Sequence, residues 1–158
     1  MSVSFKQKNP EWIEKLKLRY RMEPIEAAVG YPRGKEGVSN PHYEDGASIL
    51  EVAIWNNFGA KNIPRRAFME LAAKKMQPKF RKMMREAVKK INAGELDLKT
   101  VLKAAAQMGE SEIRDAITNG DWPPNSEETI RRKGSERPLI DSGDMRKYVT
   151  SDLRPRTG

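Results

Sequence analysis

The sequence predicts an α+β fold in which a small antiparallel sheet is packed by an α-helical hairpin and additional helices, with extended loops between them. Three observations carry that expectation. Two long stretches, residues 68–91 and 98–117, repeat apolar side chains at three- and four-residue steps and are joined by a short connection, the pattern of two amphipathic helices folded back on each other. Short runs of strand character stand towards both ends, Ile25-Glu26-Ala27-Ala28-Val29-Gly30-Tyr31 and Tyr148-Val149-Thr150. Residues 32–46, with three glycines and two prolines, read as a long loop or hairpin between the first strand and the first core helix.

In chain order, Glu11 to Met22 places Trp12, Ile13, Leu16 and Tyr20 at helical spacing among Lys and Arg, and Pro24 stops it. Residues 1–23 are therefore an N-terminal amphipathic helix or arm, and 24–158 a single α+β domain. From Ala47 the residues Ile49, Leu50, Val52, Ala53, Ile54 and Trp55 predict an almost wholly apolar helix, ending at Asn56-Asn57-Phe58 with Gly59 as a left-handed cap. After the linker Ala60 to Arg66 comes the longest helical region, whose Pro78 should kink or restart it because proline lacks an amide hydrogen and crowds the preceding turn. The return helix, interrupted mildly at Gly109, ends at Asn119-Gly120. The methionines of the pair read as flexible core filling.

A chain of 158 residues and 18.0 kDa suits one domain with arms. A hydrophobic share of 37% against 33% charged residues implies a thin core beneath a broad charged surface, as in an assembly subunit. No apolar window reaches membrane length and no secretory run opens the chain, so a soluble protein made in a cytoplasm is expected. The absence of cysteine excludes disulfides, thiolate catalysis and cysteine zinc sites. The single histidine, His42, lies in a turn-rich run with no nucleophile motif and reads as a loop residue. A charge of +8 and a pI of about 9.7 permit attraction to nucleic acid or to acidic proteins without choosing between them.

The segment Pro123 to Thr150 is the one whose residue order periodicity does not explain. Asn125 followed by Glu127 and Glu128 predicts a capped helix start, with Arg131, Arg132 and Lys133 at the opposite end and Gly134 as terminator. The basic triplet reads either as a self-capped surface turn or as a contact for phosphate or carboxylate. Asp141-Ser142-Gly143 has the form of an aspartic-protease triplet, but that chemistry needs two carboxylates sharing a proton in a strand-rich barrel, and only one copy is present in a helix-rich chain. The expected role of Asp141 or Ser142 is to cap the turn Asp144-Met145-Arg146-Lys147. Glu112 and Asp115 are expected to be solvated rather than metal ligands. No enzymatic activity is expected.

Taken in order, Ala53-Ile54-Trp55-Asn56-Asn57-Phe58-Gly59, then Ile63-Pro64-Arg65-Arg66-Ala67-Phe68-Met69, a helical hairpin, and Pro138-Leu139-Ile140-Asp141-Ser142-Gly143-Asp144-Met145 before Val149-Thr150 resemble the neck and tail-completion proteins of tailed bacteriophages, the HK97 gp10-like and virion-morphogenesis groups. The likeness covers roughly residues 25–154; Ala67 stands where proline is common, Ser142 where threonine is, and the N-terminal helix is an addition. The resemblance implies a structural subunit without a cofactor, assembled in the host bacterial cytoplasm and located in the virion neck or tail region. It implies a homo-oligomeric ring, six-fold or twelve-fold, between portal or head-completion proteins and the tail tube or terminator, with DNA passing through without sequence specificity. Candidate assembly residues are Phe58, Gly59, Ile63, Pro64, Arg65, Arg66, Phe68, Arg131, Arg132, Lys133, Leu139, Ile140 and Asp141. Phe58-Gly59 and Ile63 to Phe68 are expected to form a turn held against the core, and residues 123–158 a docking segment anchored by Leu139-Ile140. The alternative is a basic nucleic-acid-binding module, whose affinity would fall steeply with salt.

Overall fold

Two strands far apart in sequence pair to close the domain. In the computed structural model, which describes residues 25–31 and 46–156, strand β1 (Ile25–Gly30) runs antiparallel to β2 (Thr150–Pro155), with Val29 opposite Ser151 and Gly30 opposite Thr150. The N-terminal helix expected at 11–22, His42 and the loop 32–45 lie outside the described residues. Two strands alone are marginal in water, so the ribbon needs a partner surface. That surface is the long helix α3 (Leu98–Asn119), on which both strands pack. Gly109 makes the approach possible, because a Cβ there would stand 3.1 Å from Val29 Cγ2. The glycine expected to interrupt α3 is instead its seat for the sheet, inside a continuous helix. Across the strands Glu26 accepts from Arg154 Nε at 2.6 Å, and Ser151 Oγ donates to Glu110 of α3 at 2.6 Å.

The first core helix, α1 (Ile49–Phe58), begins two residues after the expected start. Ser48 accepts from the Glu51 amide while the Glu51 carboxylate accepts from the Ser48 amide, a reciprocal capping box that holds the Glu51 carboxyl below its ordinary range. Gly59 has positive φ but extended ψ (84° and 158°), not the left-handed cap expected. Its amide still donates to Trp55 O, while the chain leaves sharply into the Ala60–Ile63 bridge instead of curling back. A Cβ at Gly59 would meet the Arg65 backbone nitrogen at 3.3 Å.

Helix α2 (Phe68–Ala93) is one helix of 26 residues, and Pro78 sits inside it without restarting it. Proline removes a single donor there, and the apolar stripe on both sides of it keeps one face turned towards α3. Gly94 provides the left-handed cap that lets the chain reverse, and Asp97 opens α3 by accepting from the Thr100 amide at 2.9 Å. Lys75 with Asp115, and Lys79 with Glu112, fix the antiparallel sense, since lower numbers in α2 meet higher ones in α3. The two acidic residues read from sequence as solvated are thus ion-paired, and Glu112 is buried.

The main core lies at one end of this hairpin. Phe68 and Ala72 from α2 meet Ile113, Ala116 and Ile117 from α3, with Ile49, Val52 and Ala53 of α1 alongside. Leu139, Met145 and Val149 complete it from the C-terminal segment. After α3 the chain forms α4 (Glu127–Lys133) and the single turn α5 (Asp144–Lys147) before β2. Tyr148 closes α5 rather than opening the strand, and Arg114 of α3 ties this stretch down by donating to Val149 O at 2.6 Å. Tyr31, at the end of β1, donates to Met145 O at 2.5 Å, and burial pushes its hydroxyl well above the ordinary tyrosine value. No helix among the described residues is long and apolar enough to cross a membrane.

Candidate docking site

Arg66 organises the region where the sequence motifs meet. Its backbone is fixed first: the Arg66 amide donates to Asn56 O at 2.7 Å, pulling the linker back against the end of α1. The side chain then points inward and is 3% exposed. Nη1 donates to Asn56 Oδ1 at 2.9 Å, Nε to Pro123 O at 2.9 Å, and Nη2 to Pro124 O and Asn125 Oδ1 at 3.1 and 3.0 Å. Three of these four bonds clamp a segment 57 to 59 residues downstream onto the linker, and the fourth ties the guanidinium to the end of α1. All four acceptors are neutral, and burial lowers the guanidinium below its ordinary pKa.

The same clamp explains the start of α4. Asn125 was the expected cap, but its carbonyl oxygen accepts from Arg66 and its amide donates to Arg137 O, so Ser126 caps instead, accepting from the Thr129 amide at 3.2 Å. Gly134 ends the helix, as expected, and does so in the left-handed conformation. Further on, Gly143 rather than Asp141 or Ser142 occupies the cap position of α5. Ser142 contributes from outside the helix, accepting from the Asp144 amide at 3.4 Å and donating to the Asp144 carboxylate at 2.5 Å.

Between the linker and α4 is a cavity of about 210 Å³. Trp55, Ile63 and Pro64 form its apolar wall, and Arg66, Arg132 and Lys133 line it with one carboxylate, Asp141. Lys133 is half-buried: burial pulls its pKa down, Asp141 pulls it up, and Arg66 and Arg132 push it down again. Asp141 is exposed on this rim beside Lys133 rather than buried.

The structure sorts the expected residues into three groups. Ile63, Pro64, Arg66, Arg132, Lys133 and Asp141 converge on the cavity. Phe68 and Leu139 belong to the protomer's own core, at 1% and 4% exposure, with half-buried Ile140 packed beside them. Leu139 anchors the C-terminal segment inside the domain. Arg65 and Arg131 are exposed, the first paired with Glu70 and the second turned back to Glu127 O of its own helix. Phe58, expected against the core, is 67% exposed, because it follows Ile54 (44%) on the outer face of α1 beside Trp55 (37%).

Asn56 and Asn57, which the sequence presents as a plain helix end, are both buried. Asn56 bridges Val52 O and Arg66, and the Asn57 side-chain oxygen accepts from the Met69 amide. Two adjacent amides in an otherwise apolar helix were the available signal, since buried amides must find partners. Trp122, whose indole donates to Ala116 O at 3.0 Å, seats the start of the clamped segment. Among the described residues no three His, Asp or Glu side chains converge as a metal site. No protein-family model, curated protein or solved structure matches the chain.

Proposed function

We propose that the chain is a structural, non-enzymatic subunit of the head–tail junction of a tailed bacteriophage, building a homo-oligomeric ring around the DNA channel. The observation that carries this reading is the apolar outer face of α1. Ile54, Trp55 and Phe58 stand exposed on the helix that bears the aromatic-Asn-Asn-Phe-Gly motif, while Ile49, Val52 and Ala53 of the same helix lie in the core. Single exposed apolar residues are ordinary, but three together next to a cavity mark a surface that a neighbour covers. Val88, 43% exposed on the far half of α2, offers a second apolar contact away from the core. The clamp supports the same role: it holds the Ile63 to Phe68 turn and the C-terminal segment as one rigid unit, as a subunit docked on two sides requires.

The test is the protein's place in the particle. Immunogold labelling of virions from a phage carrying this chain should mark the neck or tail end, and analytical ultracentrifugation of concentrated protein should show ring-sized species. A protein that stays strictly monomeric and is missing from virions overturns the reading.

A further inference from the structure

Among the described residues, the cavity beneath α4 combines three cationic side chains with one carboxylate, and the most buried of the cations has only neutral hydrogen-bond partners. A buried charge without a counter-ion is costly, and it makes the site receptive to an anion. Arg132 is exposed and Lys133 half-buried at the mouth, so both can close on a guest while Arg66 supplies fixed field from below. The opposite wall, Trp55, Ile63 and Pro64, is apolar, and Phe58, three residues on from Trp55 along α1, is exposed.

Size and shape narrow the guest. A volume of about 210 Å³ falls below the roughly 300–1,000 Å³ of pockets that enclose a whole small ligand, so the recess suits one side chain. A nucleic-acid phosphate is a diester with a sugar on either side, and its contacts come from side chains reaching out to a backbone. A carboxylate on a short flexible stem enters a recess, and the planar Arg fork matches its two oxygens. We propose that this cavity receives an Asp or Glu side chain from a partner protein, with a neighbouring apolar residue of the partner packing on Trp55 and Phe58. The inference stands on the cavity itself and holds whether or not the chain works in a virion.

The experiment uses the full chain labelled with ¹⁵N, following the indole signal of Trp55, assigned through Trp55→Phe, and the Arg side-chain Nε signals. Three probes are titrated at fixed salt: the capped peptide Leu-Glu-Leu-Glu-Phe, the same peptide with Gln for Glu, and a short DNA duplex. The Glu peptide should shift the Trp55 and Arg132 signals saturably and bind at least tenfold more tightly than the Gln peptide. Arg132→Gln with Lys133→Gln should weaken it at least tenfold. Arg85→Gln with Lys89→Gln, the same loss of charge on the far half of α2, should leave it unchanged. The proposal is overturned if the Gln peptide binds as well, if the two double variants weaken binding equally, if the cavity signals do not move, or if the duplex outcompetes the Glu peptide at those signals.

Discussion

The helical hairpin and the segment clamped by Arg66 hold the domain together by opposite means. In α2 and α3 the contact is a repeated apolar stripe, and its few polar links are ion pairs at the edge, such as Lys75 with Asp115. From Trp122 to Pro138 the chain has no fully buried apolar side chain, and beyond the Trp122 seat its position rests on the Arg66 guanidinium, three of whose four acceptors lie in it. Apolar contact is spread over many residues, tolerates shape changes and fails gradually. A polar hub concentrates the same task in one side chain and fails at once, because its loss orphans every acceptor it served.

The largest effect that would sharpen this contrast is in the shared core. Phe68→Ala should lower unfolding free energy by about 3–5 kcal/mol, the range for emptying a buried aromatic site, with no change in which elements form. Urea denaturation with circular dichroism measures it; a loss below about 1 kcal/mol would mean the core end of the hairpin is looser than its burial indicates. Arg66→Met comes next, at about 3 kcal/mol, since it leaves Asn56 and the Pro123 to Asn125 acceptors unpaired. Its signature is local. Proteolysis should cut near Pro123 to Gly134 while α2 and α3 keep their helicity, and uniform unfolding of both regions would break the comparison.

A smaller effect tests the hairpin's turn. Asp97→Ala removes the cap of α3 and should lower the urea midpoint by less than Arg66→Met does, without altering cleavage of the clamped segment. The smallest is a pH response. Hydrogen bonds from Thr100 hold the Asp97 carboxyl below its ordinary value, the Lys75 hydrogen bond and that of Asn119 do so for Asp115, and Ser48 does so for Glu51. Each folded pKa lies below the unfolded one, so their stabilisation is complete above the ordinary carboxylate range, about pH 4, and is lost as pH falls through the folded values. The bond to Asp115 raises Lys75, so its share is complete below the ordinary lysine value and is lost only at strongly alkaline pH. The urea midpoint should stay flat near neutrality and fall below about pH 4. A midpoint unchanged down to pH 2.5 would remove these caps and pairs from the account of stability.

Much of the fold is legible in the sequence. The stripe of α2 and α3, the first strand, Gly134 as a helix end, and the α+β class all follow from signals contained within a few residues of each other. Asn125 and Gly109 each carry a local preference that a distant group overrides, the Arg66 side chain and the close approach of Val29. At Gly59 the override is near at hand, the Ala60–Ile63 bridge that follows it.

Arg65 and Arg66 state the limit most plainly. They are neighbours of one residue type in one linker, and the sequence assigns them the same role. One lies exposed against Glu70, five residues away, while the other is buried against acceptors contributed 57 to 59 residues downstream. By itself the sequence determined the two long helices and the end of α4 at Gly134, because their hydrogen bonds and apolar periods are local. Only the tertiary structure decided which arginine became the hub, and with it where a cationic cavity opened, because that choice depends on polar partners that folding brings from far along the chain.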